Sequence, residues 1–300
     1  QGQLEAEDLI LKVGEGDEEP VDITDMRLRD AVTLIRGEKG TEVRLTVRKP
    51  DGASLVIPIV RDVVEIEETF VKSAAFPGPD GRSTYGYIKI PSFYRDFENN
   101  GSGRNVTEDT RRALQELKTR NIQGLLLDLR DNSGGSLMDA VTTAGLFIET
   151  GPIVQVRESQ GKMETLADEE KSIEYAGPMV VMVNRFSASA SEIVAGALQD
   201  YGRAVVIGGE HTHGKGTVQA LIDLDRGIPF DKMEKFKPLG ALKITTQKFY
   251  RVSGASTQYR GVVPDIILPD LFSGMESGEQ YLDHSLPWDT VDSVSYSRWP

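Results

Sequence analysis

Two short runs constrain this chain more than any other feature. Gly124 to Leu129, but for Asp128, and Met179 to Val183 are apolar with little of the alternation that marks a strand with one wet face. Strands of that kind sit inside a layered α/β structure, where helices cover both faces of a parallel sheet. Each run leads through a Gly- or Ser-containing turn into an apolar-faced segment, Ala140 to Ile148 after the first and Glu192 to Asp200 after the second. Further strands are expected at Tyr87–Ile90, Pro152–Val156, Val205–Ile207, Val218–Leu224 and Leu242–Thr246. Thr107 is placed to cap a helix carrying Ala113, Leu114 and Leu117 on one face, Asn99–Arg104 reads as a loop, and Glu164–Glu174 reads as charged surface. Strand and helix in alternation predict an α/β core built on a largely parallel sheet.

The amino-terminal part has a different texture. Leu9–Val13 reads as a strand, Met26–Arg36 as a helix with Leu28, Val32 and Ile35 on one face, and Gly37 as its stop. Val43, Leu45 and Val47 alternate, Pro50-Asp51-Gly52 turns, and Leu55, Ile57 and Ile59 alternate back, which is a hairpin with its turn chemistry in place. The expected division is a β-rich module over 1–62, a core over 63–270 and an irregular extension over 271–300. Gln1 in place of Met, with a strand beginning at Leu9, reads as a cut or mature amino terminus without a signal peptide.

Composition removes several classes of function. The net charge is −13, which argues against a broad phosphate-binding surface and so against nucleic acid. There is no cysteine, so disulfides, thiolate metal sites and a Cys nucleophile are excluded. His211, His213 and His284 are the three histidines. His211 and His213 form an H-x-H pair, but with no third histidine nearby a surface loop accounts for it better than a metal. The longest strictly apolar run, Met179–Val183, is far too short to span a bilayer.

Three segments carry candidate chemistry. Ser187-Ala188-Ser189-Ala190-Ser191-Glu192 joins a buried strand to a helix, a position that exposes a serine beside helix N–H groups able to hold an oxyanion. Ser189-x-x-Glu192 is equally a capping box, which is what most such serines do. Gly209 to Lys215 follows the glycine spacing of a phosphate loop, but Gly216 stands where Ser or Thr should follow and a strand replaces the required helix. A lysine between glycines in such a loop, once desolvated, loses its proton readily and serves as a base for a serine nucleophile. Asp128 to Gly135 puts a glycine turn at a strand's carboxyl end, where backbone N–H groups can face anions, though by itself it reads as a tight strand-to-helix connection.

Taken together, the three segments resemble the tail-specific, or C-terminal processing, serine proteases. Val183–Ile193, continuing through Ala197-Leu198-Gln199-Asp200-Tyr201-Gly202-Arg203-Ala204, is similar to that family's nucleophile region. His213–Gln219 is similar to its lysine segment and Leu127–Gly135 to its glycine turn, while Thr246–Val252 and Gly261–Ile266 continue the likeness. Leu286-Pro287-Trp288-Asp289 resembles the larger periplasmic bacterial branch, and the resemblance runs from about Leu4 to Asp289.

The resemblance implies Ser189 as nucleophile, Lys215 as general base, Gln219 as the group orienting its amine, and the N–H groups of Gly135 and Ala190 as oxyanion hole. It implies a ClpP/crotonase-like core and no metal or organic cofactor. The amino-terminal module would be a partial PDZ domain beginning near its middle, with Leu28 and Val32 either lining a peptide groove or serving as core. Substrates would be proteins or peptides taken by apolar or unstructured C-terminal tails, with an adaptor protein as a possible partner and the bacterial periplasm or envelope as location. The chain departs from the pattern in having His213 where an aromatic is usual and one extra residue near Gly208-Gly209. Those departures sustain the alternative of a catalytically impaired peptide-binding scaffold.

Overall fold

A computed structural model describes residues 3–62, 67–96, 103–227 and 237–300. The chain divides into two compact units, Gln1–Ile66 and Glu67–Pro300.

In the first unit, strands β1 (Leu9–Glu15), β2 (Val21–Asp22), β3 (Glu42–Arg48) and β4 (Ser54–Val60) form an antiparallel sheet in the order β2-β1-β3-β4. The alternation expected in β3 is realised, since Val43, Leu45 and Val47 point inward with Val13, Ile23, Ala31 and Ile57. Helix α1 (Leu28–Ile35) ends against Arg61, whose guanidinium takes the carbonyls of Leu34 (3.2 Å) and Ile35 (2.9 Å) and pairs with both oxygens of Glu15. Gly37 leaves room for that guanidinium, because a Cβ there would lie 2.7 Å from its central carbon. The buried face of α1 is Ala31 rather than Leu28, which is 81% exposed.

The second unit holds two sheets. The larger runs β14-β11-β10-β7-β6-β5, with ranges Ile266–Ile267, Val205–Gly208, Met179–Val183, Gly124–Asp128, Thr84–Lys89 and Lys72–Pro77. All its pairings are parallel except β5 with β6. Helices α2 (Val106–Thr119), α3 (Leu137–Gly145) and α4 (Ala190–Asp200) cover it, and Leu114, Leu127, Leu129, Phe147, Val181, Val194 and Leu198 are buried between the layers. The smaller sheet is antiparallel, in the order β12-β13-β8-β9, from Thr217–Asp223, Ala241–Tyr250, Gly151–Glu158 and Met163–Asp168.

Four expectations are corrected. The strands at 151–158, 217–223 and 241–250 belong to this second antiparallel sheet and not to the parallel one. Apolar pattern identifies a strand but not its partner. Glu164–Glu174 is not merely charged surface, because Met163–Asp168 pairs with β8. As an edge strand with five of six residues solvent-facing or half-exposed, it has no apolar period to read. The same applies to β5, which is exposed along its length. Thr107 does not cap α2. Asn105 does, its side chain accepting from Glu108 N (3.0 Å), while the Thr107 hydroxyl turns inward to Thr142 and Thr143. Helix α3 begins at Leu137, capped by Ser136, and not at Ala140. Most of the expected 99–104 loop lies outside the described residues.

Residues 271–300 contain one short 3-10 turn at Glu279–Tyr281 and otherwise lie irregularly on the core. Asp289 pairs with Arg157 (2.6 Å) and Lys248 (2.5 Å), Trp288 Nε1 donates to the Ser256 carbonyl (2.9 Å), and Trp299 N donates to Tyr201 O (2.8 Å).

Candidate active site

Parallel pairing brings the three candidate segments to one place. Strands β7, β10 and β11 are neighbours, in register from Leu125↔Met179 to Asp128↔Met182 and from Val180↔Val205 to Val183↔Gly208. Their carboxyl ends therefore emerge side by side, and that edge of an open α/β sheet is where ligands usually sit. The glycine turn leaves β7, the serine segment leaves β10 and the lysine loop leaves β11.

The serine segment singles out Ser189. From Ser187 to Leu198 every residue is buried except Ser189, which is half-exposed. Ser187 and Ser191 are fully buried, and their hydroxyls donate to the carbonyls of Leu129 (2.8 Å) and Asn132 (2.9 Å). Those two serines stitch the segment to the glycine turn, together with the Ala188 N to Asn132 O bond (2.9 Å) and the Asp131–Asn184 side-chain and backbone pair. Ser189 itself sits at φ +56° and ψ −112°, a conformation L-residues rarely adopt. Backbone strain of that kind is held only where surrounding structure over-determines it, and it clusters at functional sites.

The glycine turn backs directly onto this serine. A Cβ at Gly134 would lie 2.8 Å from Ser189 Cβ, and one at Gly135 would lie 2.2 Å from the Phe93 carbonyl oxygen. Both glycines also have positive φ, +106° and +145°, so neither position accepts a side chain. The N–H groups of Gly135 and Ala190 donate no hydrogen bond among the described residues. Ala190 begins α4, so its N–H is one of the helix's unpaired amino-terminal donors.

The lysine loop is fixed from Thr212 onward, where every N–H has a partner: Val262 O, Ser187 O, Glu192 twice, and the Gln258 side chain at Gly216. A residue inserted ahead of Thr212 therefore leaves the backbone of Lys215 anchored. Lys215 Nζ donates to Gln219 Oε1 at 2.9 Å, and a bulge between Val218 and Gln219 in the pairing with β13 sets the glutamine's direction. Burial pushes the lysine's pKa down, the Lys243 charge adds to that, and Glu279 and Glu192 oppose it. A neutral amine is what a general base requires.

Sequence reasoning read Glu192 only as a helix-capping residue, yet it ties the site together. Its fully buried carboxylate accepts from Ser189 N (2.7 Å) and Lys215 N (2.9 Å) on one oxygen, and from Thr212 Oγ1 (2.5 Å) and Gly214 N (2.7 Å) on the other. The Ser-x-x-Glu spacing announces the first of these bonds, while the other three come from a loop 20 or more residues away. Burial raises its pKa to about 7 against the four donors, which hold it down.

Ser189, Ala190, Gly135, Lys215 and Gln219 line one cavity of about 230 Å³, with Lys243, Leu137 and Phe249 among its other walls. A second cavity of about 420 Å³ shares Lys215 and Gln219 and is closed by His213, Glu279 and His284. The H-x-H pair is separated in use: His211 Nδ1 lies 2.6 Å from the Thr212 carbonyl, and His213 lies 3.8 Å from the Glu279 carboxylate. No cluster of three potential metal ligands exists among the described residues. The phosphate-loop pattern leads into β12 rather than a helix. Leu28 is solvent-facing and Val32 half-buried, so Leu28 is not core in its module.

A serine strained on a strand-to-helix elbow, a half-buried lysine and two residues with unpaired backbone donors thus line one cavity. Residues 84–268 match the model of peptidase family S41, and the chain belongs to that family. It is 42% identical over 295 residues to the tail-specific protease of Haemophilus influenzae, an alignment covering 98% of this chain and 40% of that protein. It is 32% identical over 249 residues to the carboxy-terminal processing protease CtpA of Bacillus subtilis, covering 82% of this chain and 47% of that one. The chain thus spans less than half the length of both relatives. Among solved structures it is similar to a photosystem II D1 C-terminal processing protease, at 28% identity and a TM-score of 0.53, covering 89% of this chain and 64% of that one. No helix among the described residues is long and apolar enough to cross a membrane.

Proposed function

We propose that this chain is the catalytic part of a serine endopeptidase that works through Ser189 and Lys215 and selects proteins by their C-terminal tails. The observation that carries the reading is the convergence of Ser189, Lys215, Gln219, Gly135 and Ala190 on one cavity. The neutral Lys215 amine, oriented by Gln219, takes the Ser189 hydroxyl proton as Oγ attacks a peptide carbonyl. The Gly135 and Ala190 N–H groups receive the oxyanion, where preorganised donors are worth about 3 to 4 kcal/mol each. The Lys215 ammonium then returns its proton to the departing amine, leaving an acyl-enzyme on Ser189 that water hydrolyses. Each step uses groups of this chain and water.

In this reading residues 63–270 are a ClpP/crotonase-like core with 271–300 an extension, and the amino-terminal unit is a partial PDZ module in which Leu28 and Val32 face the peptide. PDZ modules take an extended peptide as an added strand and hold its terminal carboxylate. With this reading goes the bacterial periplasmic or envelope setting that the resemblance implies.

Cleavage of a loosely folded reporter protein ending in an apolar tail, followed by intact mass, tests this. The protein should cut the reporter with a free C-terminal carboxylate faster than the same reporter amidated there. Equal rates would remove tail selection from the reading, and no cleavage of either would favour a binding scaffold.

A further inference from the structure

The catalytic cavity contains a second lysine that the reaction outlined above leaves unused. Lys243 lies on β13, two residues before Thr245, the cross-strand partner of Gln219. Side chains two apart on a strand share a face, so Lys243, Thr245 and Gln219 stand on the same side of the β12–β13 hairpin. Lys243 lines the cavity with Ser189 and Lys215, is solvent-exposed, and makes no ion pair or hydrogen bond among the described residues. An unpaired ammonium at the mouth of a catalytic cavity, in a chain of net charge −13, calls for a reason.

The charges around Lys215 supply one. Glu192, from α4, and Glu279, from the 3-10 turn, both favour the ammonium form of Lys215. His213, on the same loop, is a further titratable neighbour, and His284 closes the adjoining cavity. Both acids are occupied elsewhere, Glu192 by its four donors and Glu279 by Gln258 (3.1 Å) and His213. Neither leaves the site, however, and with burial alone against them the base would hold its proton more tightly. A fixed positive charge on the cavity wall offsets the two carboxylates.

We propose that Lys243 is a positioning residue that acts electrostatically through Lys215, keeping the base in the neutral form that accepts the Ser189 proton. The proposal rests on the Ser189/Lys215 reading. Its physical content is that charge at position 243, and not side-chain shape, sets the pH at which the base becomes competent. Activity rises with pH as Lys215 loses its proton, so removing the neighbouring charge must move that rise to higher pH.

The test is the pH dependence of kcat/KM on an uncharged peptide for the wild type, Lys243→Arg, Lys243→Gln and Lys243→Glu. The arginine variant should superpose on wild type. The glutamine variant should shift the rising limb alkaline by about half a pH unit, roughly threefold in rate at a fixed pH on that limb. The glutamate variant should shift it about twice as far. All four should reach the same plateau at high pH, and high salt should shrink the differences because exposed charges are screened. Unshifted limbs in both the glutamine and glutamate variants would overturn the proposal, and a change confined to KM would make Lys243 a substrate contact instead. Lys215→Ala separates the two levels: if it keeps wild-type cleavage, the dyad reading itself fails.

Discussion

Ser189→Ala is expected to lower kcat by at least about 10⁴-fold, Lys215→Ala by a similar factor, and the double variant by no more than the worse single one. Non-additivity is the signature of two groups acting as one device, since a base without its nucleophile has nothing to deprotonate. The substitution at Ser189 leaves the fold intact on structural grounds. Its side chain is half-exposed, and the bonds that hold the elbow come from Ser187, Ser191, Ala188 and the Ser189 N–H. Alanine bears the positive φ no better and no worse than serine. Kinetics on the tailed reporter, with circular dichroism as the control for folding, measure this. Losses that multiply in the double variant would mean two independent contributions and no dyad.

Glu192→Gln should cost roughly 10²-fold in kcat, because small displacements of a catalytic group carry penalties of that order. The carboxylate offers acceptor sites to four donors, whereas the amide of glutamine turns its NH₂ toward two of them. An ionised carboxylate buried without partners costs several kcal/mol, and charge-assisted bonds of about 1.5–3 kcal/mol each are what offset that cost here. With one pair of donors repelled, the Ser189 elbow and the Lys215 backbone are no longer tied to one point. The pH dependence of stability carries a second sign of the same group. The folded pKa of Glu192 is raised to about 7 from 4.5. Its contribution is therefore fully present below the usual carboxyl range and is lost as pH climbs from there through about 7. That slope amounts to no more than about 3 kcal/mol and should vanish in the glutamine variant. Urea unfolding at several pH values compares the two proteins, and identical slopes would show that Glu192 titrates as an ordinary carboxyl.

The segments that meet at the candidate site were legible in one dimension because each is local. Gly134-Gly135, Ser189 and Lys215 each sit in short Gly- or Ser-containing segments, and the two buried runs at Gly124–Leu129 and Met179–Val183 announce the strands that carry two of them. What those runs cannot announce is pairing. Nothing in Val218–Leu224 says that its partner is antiparallel β13, and exposed edge strands such as Met163–Asp168 lack the apolar period on which such reading depends. Capping at Asn105 was readable from its spacing to Glu108, and the nearer Thr107 obscured it. Lys243, Gln258, Glu279 and three of the four bonds of Glu192 stayed hidden for one reason: each acts on residues brought near by folding across 20 or more positions. Leu28 shows the limit of a helical pattern, an apolar residue on a helical face that the folded module leaves in solvent.

The central claim is that Ser189 is a nucleophile activated by Lys215. Incubating the protein with a serine-directed acylating or phosphonylating reagent and mapping the adduct by peptide mass spectrometry tests it most directly. The account predicts one adduct, on Ser189, forming faster as pH rises and slowed severely in Lys215→Ala, with Ser187 and Ser191 unmodified. An adduct on another residue, or labelling of Ser189 at the same rate without Lys215, would contradict it.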